Sequence, residues 1–328
     1  MNQKKLRIAQ FGLGSIGLEC LKFAATREWS RVVGAVDIDP AKVGRDLGIL
    51  SGNSSLRNIP VSSSLSELQN KPDLIFHTSV SSLELAFPQL ARILTQGINV
   101  VSSSEELSFP QLRQPELAAR LDRISRRSGA RLVGTGVNPG FVMDLLPVVL
   151  ASVSRDVTEI HVQRVVNAST RREPLQRKIG SGLDPAQFRR LLRRGQAGHA
   201  GLKESLALIA HSFGHRIEKV VETRDAIVAR KSIETAFLGV RKGETCGVHQ
   251  RAEAFLPGKF RVSLDLKMYL DANDPHDAVQ IVGDPPLDVL IRGGVAGDQA
   301  TVAALVNTAP RLMRAAPGLR LISQLPLV

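Results

Sequence analysis

Cysteine is scarce in this chain. Cys20 and Cys246 are the only two, far apart and in no metal-ligand spacing. That excludes a disulfide scaffold and fits a reducing compartment. Aromatic residues are equally rare, at 4% with one Trp and one Tyr, so the core must be built from Leu, Val, Ile and Ala. No run of 18 apolar residues occurs, so no membrane span is expected. The opening MNQKKLRIAQFG has a basic start but only a strand's length of apolar residues, and it does not read as a signal peptide. The expectation is a cytoplasmic protein. Acids are outnumbered, 31 against 43 Lys and Arg, for a net charge of +12. The excess favours anionic partners. Yet the basic runs (Arg123, Arg126 and Arg127; Arg171 and Arg172; Arg189 to Arg194) are scattered and not interleaved with aromatics. No zinc-finger or RNP-like motif accompanies them, so no nucleic-acid partner is expected. Nor is there a Ser–His–Asp order, a nucleophile elbow, a phosphate-binding lysine loop or a metal-spaced His/Cys set, which argues against hydrolase, kinase and metalloenzyme readings.

What is present starts at the front. Leu6 to Phe11 is a short, largely apolar run, followed at once by GLGSIG, with Gly12, Gly14 and Gly17 in G-x-G-x-x-G register around Ser15 and Ile16. A helix pattern (LECLKFAATREW) and a buried-strand pattern (RVVGAVD) follow, ending in Asp37, 20 residues beyond Gly17. Strand, glycine turn, helix, strand and acid make up the dinucleotide fingerprint. Gly12 permits the tight turn, Gly14 leaves room for a pyrophosphate, and Gly17 lets helix and strand approach. The anion sits on N–H groups at the helix N-terminus. Asp37 is placed for the adenosine ribose hydroxyls and would repel a 2′-phosphate, whereas Lys42 and Arg45 just downstream would attract one. NAD and NADP both stay open.

Alternation continues through a strand at 73–80, a helix at 83–97 broken by Pro88 and capped by Gly97, a strand at 98–102, a basic helix at 115–128 and a strand at 130–136. Short strands alternating with helices predict a parallel, doubly wound Rossmann-type sheet. In such sheets ligands bind beyond the C-terminal strand ends. His77, Thr78, Ser79 and Ser81 lie at one such end, Ser102 to Glu106 at the next, and Gly134 to Gly140 with Asn138 at a third. The adjacent acids Glu105 and Glu106 therefore stand at a ligand-binding edge. Helix starts also attract acids, so the residues alone leave a cap and a catalytic role open.

The rest of the chain reads as a mixed α+β domain for substrate and dimerisation. An apolar helix is expected over 141–153, its N-terminus preceded by VNPG and aimed at the ligand edge. Strands are expected at 158–167, 219–228, 234–241, 246–256, 259–270 and 286–294. One helix is expected to start at Asp184 and Pro185, and another to span 202–214. A tail helix from Gly297 would be capped by Asp298 and interrupted by Pro310. The expected division is 1–140 joined by 297–328, and 141–296. In the second half, Arg171 and Arg172 can meet a carboxylate or stay solvated, and the glycine-flanked His199 can approach a ligand or serve the core. His77 fills core or nicotinamide pocket.

GLGSIG, GAVDIDPAKVG, NVVSSSEELSFP and GTGVNPGFVMDLLP resemble the dihydrodipicolinate-reductase-like dehydrogenases. RVVNASTRREPLQRKIGSGL, GHAGLKESL and GDQATVAALVNTAPRL bring the resemblance closest to the 2,4-diaminopentanoate dehydrogenase and native amine dehydrogenase branch. It runs nearly end to end. It implies NAD(P)-dependent oxidation of a primary amine, with reductive amination of a ketone by ammonia in reverse. It puts the catalytic glutamate on the Glu105–Glu106 pair, Glu105 preferred, and implies a homodimer joined through the second domain's sheet. Thr78, Ser79 and Asn138 then belong to the cofactor site, and His77, Asn167, Arg171, Arg172 and His199 to the substrate side. Two departures stand out. The histidine-rich motif and lysine of true dihydrodipicolinate reductases are missing from EIHVQRVVNASTRREP, which argues against lysine biosynthesis. Asn167 replaces an aspartate expected in the closer branch, which puts a 2,4-diamino acid substrate in question. A related imine or carbonyl reductase and a non-catalytic dinucleotide sensor are the alternatives.

Overall fold

The computed structural model describes residues 5–217, 219–257 and 260–327. The chain divides into two compact units, Met1–Phe141 with Ala296–Val328, and Val142–Val295.

The first unit follows the βα alternation of its sequence. Strand β1 (Leu6–Phe11) leads to α1 (Ser15–Ala25), β2 (Ser30–Val36), the short α2 (Leu47–Ser51) and β3 (Val61–Ser62). Then come β4 (Leu74–His77), α3 (Leu83–Thr95), β5 (Asn99–Ser102), α4 (Pro115–Ser128) and β6 (Arg131–Gly134). Adjacent strands here all run parallel. Helices α3 and α4 bury Leu83, Leu90, Ile93, Leu94 and Leu121 against Ala9, Ile75, Val100 and Leu132. A second cluster, with Leu13, Leu21, Val32, Ala35 and Leu47, packs around α1 and α2. Apolar burial at about 25 cal/mol per Å² is the main favourable term holding such layers together.

The second unit opens with α5 (Leu145–Ala151) and β7 (Arg155–Asn167), followed by α6 (Glu173–Lys178), α7 (Pro185–Arg193) and α8 (Leu202–Ser212). Strands β8 (Lys219–Val228), β9 (Ile233–Glu234), β10 (Gly239–Val240), β11 (Thr245–Phe255), β12 (Arg261–Tyr269), β13 (His276–Asp284) and β14 (Leu287–Arg292) follow. Six of them form a mixed sheet in the order β14-β13-β7-β12-β11-β8, in which β7 and β12 pair parallel. The chain re-enters the first unit through α9 (Gly297–Met313) and β15 (Gly318–Arg320), and β15 completes a seven-stranded sheet, β15-β6-β5-β4-β1-β2-β3. The doubly wound sheet and the second, mixed sheet agree with the fold class expected from the sequence.

Several local expectations need correction. Helix α3 runs through Pro88 and α9 runs through Pro310. Pro88 is exposed, and the carbonyl it leaves unbonded belongs to exposed Glu84, within reach of water. Around Pro310 the buried face of Val302, Leu305, Val306, Ala309 and Leu312 holds the helix. Asp298 stands in the first turn of α9, while Ala296 occupies the cap position. The helix expected from 141 begins only at Leu145, because Asp144 takes the cap and accepts the Leu145 N–H at 2.6 Å. VNPG therefore does not lead straight into it. The strand expected over 234–241 is a small hairpin of two-residue strands. The strand expected from 259 begins with Lys259, outside the described residues, and is a strand from Arg261. No helix among the described residues is long and apolar enough to cross a membrane.

Within the second sheet one polar row crosses an apolar face. Rows Ile281–Ile160–Val262–Ala254 and Val279–Val162–Leu264–Ala252 are followed by Asp277–Arg164–Leu266–Gln250. Arg164 Nη1 meets both Asp277 carboxylate oxygens at 2.8 Å, with side chains 4% and 1% exposed. Arg164 Nη2 donates to Val295 O and Asp277 accepts the Val295 N–H, so the pair also ties down the residue before α9. Removing one partner leaves a buried charge uncompensated. Asp277→Ala is expected to destabilise the protein by about 3–5 kcal/mol in urea unfolding. A loss under about 1 kcal/mol would show that the pair does not anchor this sheet.

Candidate active site

Parallel strands in register end together. Phe11 pairs with Val36 and His77, His77 with Ser102, and Ser102 with Gly134. The segments leaving these residues form one rim, and it gathers the first-unit residues expected from sequence: Gly12 to Gly17, Asp37, Thr78, Ser79, Glu105, Glu106 and Asn138.

At the glycine turn each position shows a different constraint. Gly12 has φ +90°, and a Cβ there would lie 3.0 Å from Thr78 O. A Cβ on Gly17 would fall 2.0 Å from Gly12 O, so helix and turn meet there with no space for a side chain. A Cβ on Gly14 would meet nothing within 4 Å, which leaves its backbone open to a ligand. Gly14 also caps α1, so Ser15 and Ile16 present the first helical N–H groups. Asp37 is already engaged. Its carboxylate accepts Leu13 N–H at 2.6 Å and Asp39 N–H at 2.9 Å, and Lys42 Nζ lies 3.6 Å away. The acid therefore braces the turn, with a cation beside it.

Sequence reasoning passed over Gln10. It is fully buried, and its Nε2 donates to Gly12 O at 3.0 Å and to Thr78 Oγ1 at 2.8 Å. Thr78 Oγ1 in turn donates to Gly12 O. The available signal was a polar residue in an apolar strand, two residues before the first glycine of the turn. His77 is fully buried too. Its Nδ1 lies 2.9 Å from Ser102 Oγ, and its Nε2 lies 2.8 Å from Gln89 Oε1 and 2.9 Å from Ser79 Oγ. Both ring nitrogens have protein partners, beneath the rim surface. Burial pushes the ring's pKa down to about 4, against the hydrogen bond to Gln89, which raises it.

The two glutamates divide. Glu106 Oε2 accepts Leu83 N–H, the first amide of α3, at 2.8 Å, and its own N–H donates to Ser81 O. Ser82, at the cap position, makes no side-chain cap bond, so Glu106 caps α3 from the neighbouring loop. Glu105 is half-buried, and its carboxylate has no hydrogen-bond or ion-pair partner among the described residues. Ser104 Oγ donates to Ser81 O and Ser108 Oγ to Glu105 O, which fixes the backbone on both sides of it. Gly134, Gly136 and Gly140 keep the third segment tight: a Cβ at Gly140 would sit 2.3 Å from Gly136 N. Asn138 is half-buried within it.

The remaining expected residues lie in the second unit. Asn167 ends β7 and is spent locally, accepting Ser169 N–H and donating to Ala272 O. Arg171 is half-buried and Arg172 exposed. The His199 backbone is held on both sides by the Gln250 amide. The residue is half-buried, its Nε2 atom is buried with no hydrogen-bond partner among the described residues, and burial, then Lys178, Arg164 and Arg224, push its pKa down to about 3. Arg171 in turn faces Arg164 electrostatically, so Arg171 and His199 share a cationic neighbourhood. No group of three His, Cys, Asp or Glu among the described residues has the arrangement of a metal site.

A doubly wound sheet with this turn and rim defines a dinucleotide-dependent oxidoreductase. The chain belongs to the 2,4-diaminopentanoate dehydrogenase family, whose C-terminal domain model matches residues 141–328. It is 26% identical to 2,4-diaminopentanoate dehydrogenase of Acetoanaerobium sticklandii over 98% of this chain and 94% of that protein. It is 22% identical to an amine dehydrogenase of Streptomyces virginiae over 97% and 95%. Among solved structures it is similar to an amine dehydrogenase from Mycobacterium smegmatis, with TM-score 0.88, 22% identity and coverage of 99% and 97%. A scyllo-inositol dehydrogenase from Lactobacillus casei with bound NAD(H) shares the fold at TM-score 0.56 and 16% identity, over 93% and 89%.

Two histidines of depressed pKa set an acid limit on stability. Their folded pKa values, about 4 for His77 and about 3 for His199, lie below the ordinary 6.5. The unfolded chain therefore binds more protons as pH falls below 6.5, and stability declines through that window. His77 alone should cost roughly 3 kcal/mol between pH 6.5 and 4. His77→Asn is expected to flatten the fall of Tm over this range. An unchanged slope would show that His77 does not stay neutral.

Proposed function

We propose that this chain is an NAD(P)-dependent amine dehydrogenase in which Glu105 is the catalytic acid–base. The observation that carries the assignment is the division of the glutamate pair: Glu106 is committed to the α3 amide, while the Glu105 carboxylate, on the same rim as the glycine turn, has no partner among the described residues.

The residues fit the cofactor. Gly14 leaves backbone open, Gly12 and Gly17 shape the turn, Ser15 and Ile16 supply amides for the pyrophosphate, and Asp37 with Lys42 faces the adenosine ribose. Thr78, Ser79 and Asn138 line the same edge. When bound, the nicotinamide accepts a hydride from the amine carbon or returns one. In the oxidative direction Glu105 takes the proton from the substrate ammonium, freeing the nitrogen lone pair that drives hydride departure. Water then adds to the resulting iminium carbon, ammonia leaves, and a ketone remains. In reverse, Glu105 holds ammonia and manages its proton as it adds to the ketone carbonyl. A positioned carboxylate of this kind contributes about 10²–10⁴-fold. Arg171, Arg172 and His199 are proposed for the substrate side; Arg171 and His199 both lie in the field of Arg164, which supports an anionic substrate group there. Asn167 is the weakest member, since the turn uses both ends of its amide.

The chain is further proposed to work as a cytoplasmic homodimer joined through the polar face of the six-stranded sheet. That face carries His161 against Ser263 and Glu159, and His249 and Arg251 against Asp265. Sedimentation reads this directly: a species of twice the chain mass supports it, and a monomer removes it.

Two measurements test the chemistry. NAD(P)H oxidation with a panel of ketones should require ammonium; turnover without it would make the protein a carbonyl reductase, and no turnover despite tight cofactor binding would make it a sensor. Glu105→Gln is expected to lower turnover by at least about 100-fold with cofactor affinity unchanged. Glu106→Gln keeps an acceptor for the Leu83 amide and should lose less than about 10-fold. The reverse ranking would move the catalytic role to Glu106.

A further inference from the structure

We infer that His77 is a positioning residue for Glu105, acting from beneath the rim through Ser102. The inference rests on the proposed role of Glu105 and extends it to a residue that touches neither substrate nor cofactor.

The direction of each hydrogen bond can be worked out. Gln89 Oε1 only accepts, so the ring proton that faces it sits on His77 Nε2. A neutral imidazole has one ring proton, so Nδ1 is the acceptor and Ser102 Oγ–H is its donor. Ser102 Oγ is then free to accept Ser104 N–H, at 3.2 Å. The backbone repeats the link, since Ser103 N–H donates to His77 O at 2.9 Å. One polarised chain thus runs from the amide just before Glu105, through Ser102 and His77, to Gln89 on α3. Ser79 Oγ joins it by donating to Gln89 Oε1 at 2.6 Å.

The same helix closes the path at its other end. Glu106 caps α3 at Leu83, six residues before Gln89. Glu105 is therefore flanked on each side by a residue bonded toward α3 or its leading loop: Ser104 through Ser81 and Ser102, and Glu106 through Leu83. On the other side, residue 78 follows His77 directly, and Thr78 shares its hydroxyl with Gly12 O and Gln10. His77 thus stands between the two loops: its ring reaches the loop of the acid through Ser102, and its backbone leads directly into Thr78 beside the glycine turn. A neutral, buried ring suits this use, because it offers one donor and one acceptor in fixed directions.

Misplacing a reacting group by about 1 Å can cost about 100-fold in rate. The loss should therefore appear in turnover and in ammonium use, not in dinucleotide affinity. The test compares His77→Leu, His77→Asn and Ser102→Ala with Glu105→Gln, measuring turnover per dinucleotide site titrated by NAD(P)H fluorescence, so that unfolded chains are not counted. His77→Leu and Ser102→Ala are expected to lower kcat/KM for ammonium by about 10-fold or more while the NAD(P)H Kd stays within about 3-fold. His77→Asn, whose amide oxygen can take the Ser102 hydroxyl, should recover to within about 3-fold of wild type. If His77→Leu does not fold, Ser102→Ala and His77→Asn still give opposite expectations. Wild-type activity in Ser102→Ala, equal losses in Asn and Leu variants, or a Kd that rises in step with lost turnover would each overturn the inference. Full activity in Glu105→Gln would instead overturn the catalytic reading itself.

Discussion

The constraint on which this structure depends is the common end of its parallel strands. Because β1, β2, β4, β5 and β6 are in register at Phe11, Val36, His77, Ser102 and Gly134, every segment that leaves them emerges on the same edge. Nothing about Gly12, Thr78 and Glu105 brings them together in sequence. The sheet does it, and short polar bonds then hold each segment at a fixed height. The apolar layers on either side make the sheet rigid enough for those bonds to matter.

A second theme is that polar side chains at this edge serve structure and chemistry in alternate positions. Ser102 and Ser104 are bonded inward, Glu106 caps a helix, and the Glu105 carboxylate between them has no partner among the described residues. Asp37, proposed for the ribose, is also used by the fold: it braces Leu13 and Asp39. An unsatisfied carboxylate costs little while water reaches it. It gains basicity when a ligand displaces that water. The division of labour therefore follows from which oxygen already has a hydrogen to accept.

Much of this was legible in the residues. The glycine register, the acid 20 residues on and the alternating pattern set the nucleotide unit, because each demands a particular backbone shape. The rim position of the glutamate pair followed from the rule for strand ends. Its division did not follow, because the partner of Glu106 is an amide 23 residues away, and no local pattern reports such a contact. Pro88 and Pro310 misled for the same reason: propensity argued for a break, and tertiary burial of the opposite face kept both helices whole. His77 read as a core or pocket filler because its place at a strand end is visible in sequence; its partners Ser102, Ser79 and Gln89 are not, since the three come from different segments. In the second unit, alternation found most of the strands but not the hairpin at 233–240, where each strand is only two residues long.

The family relationship and the geometry bear on different questions. Membership of the 2,4-diaminopentanoate dehydrogenase family sets the class of reaction. On the rim, the Glu105 carboxylate has no partner among the described residues, which supports the proposal that it carries the reaction out. These meet in one claim, that the Glu105 carboxylate handles the proton of a nitrogen substrate. A crystal structure with NAD(P) and a bound amine tests it most directly. The account predicts the Glu105 carboxylate within about 3 Å of the amine nitrogen, with Glu106 still on the Leu83 amide. Glu105 turned into bulk solvent, with the amine held by other groups, would contradict it.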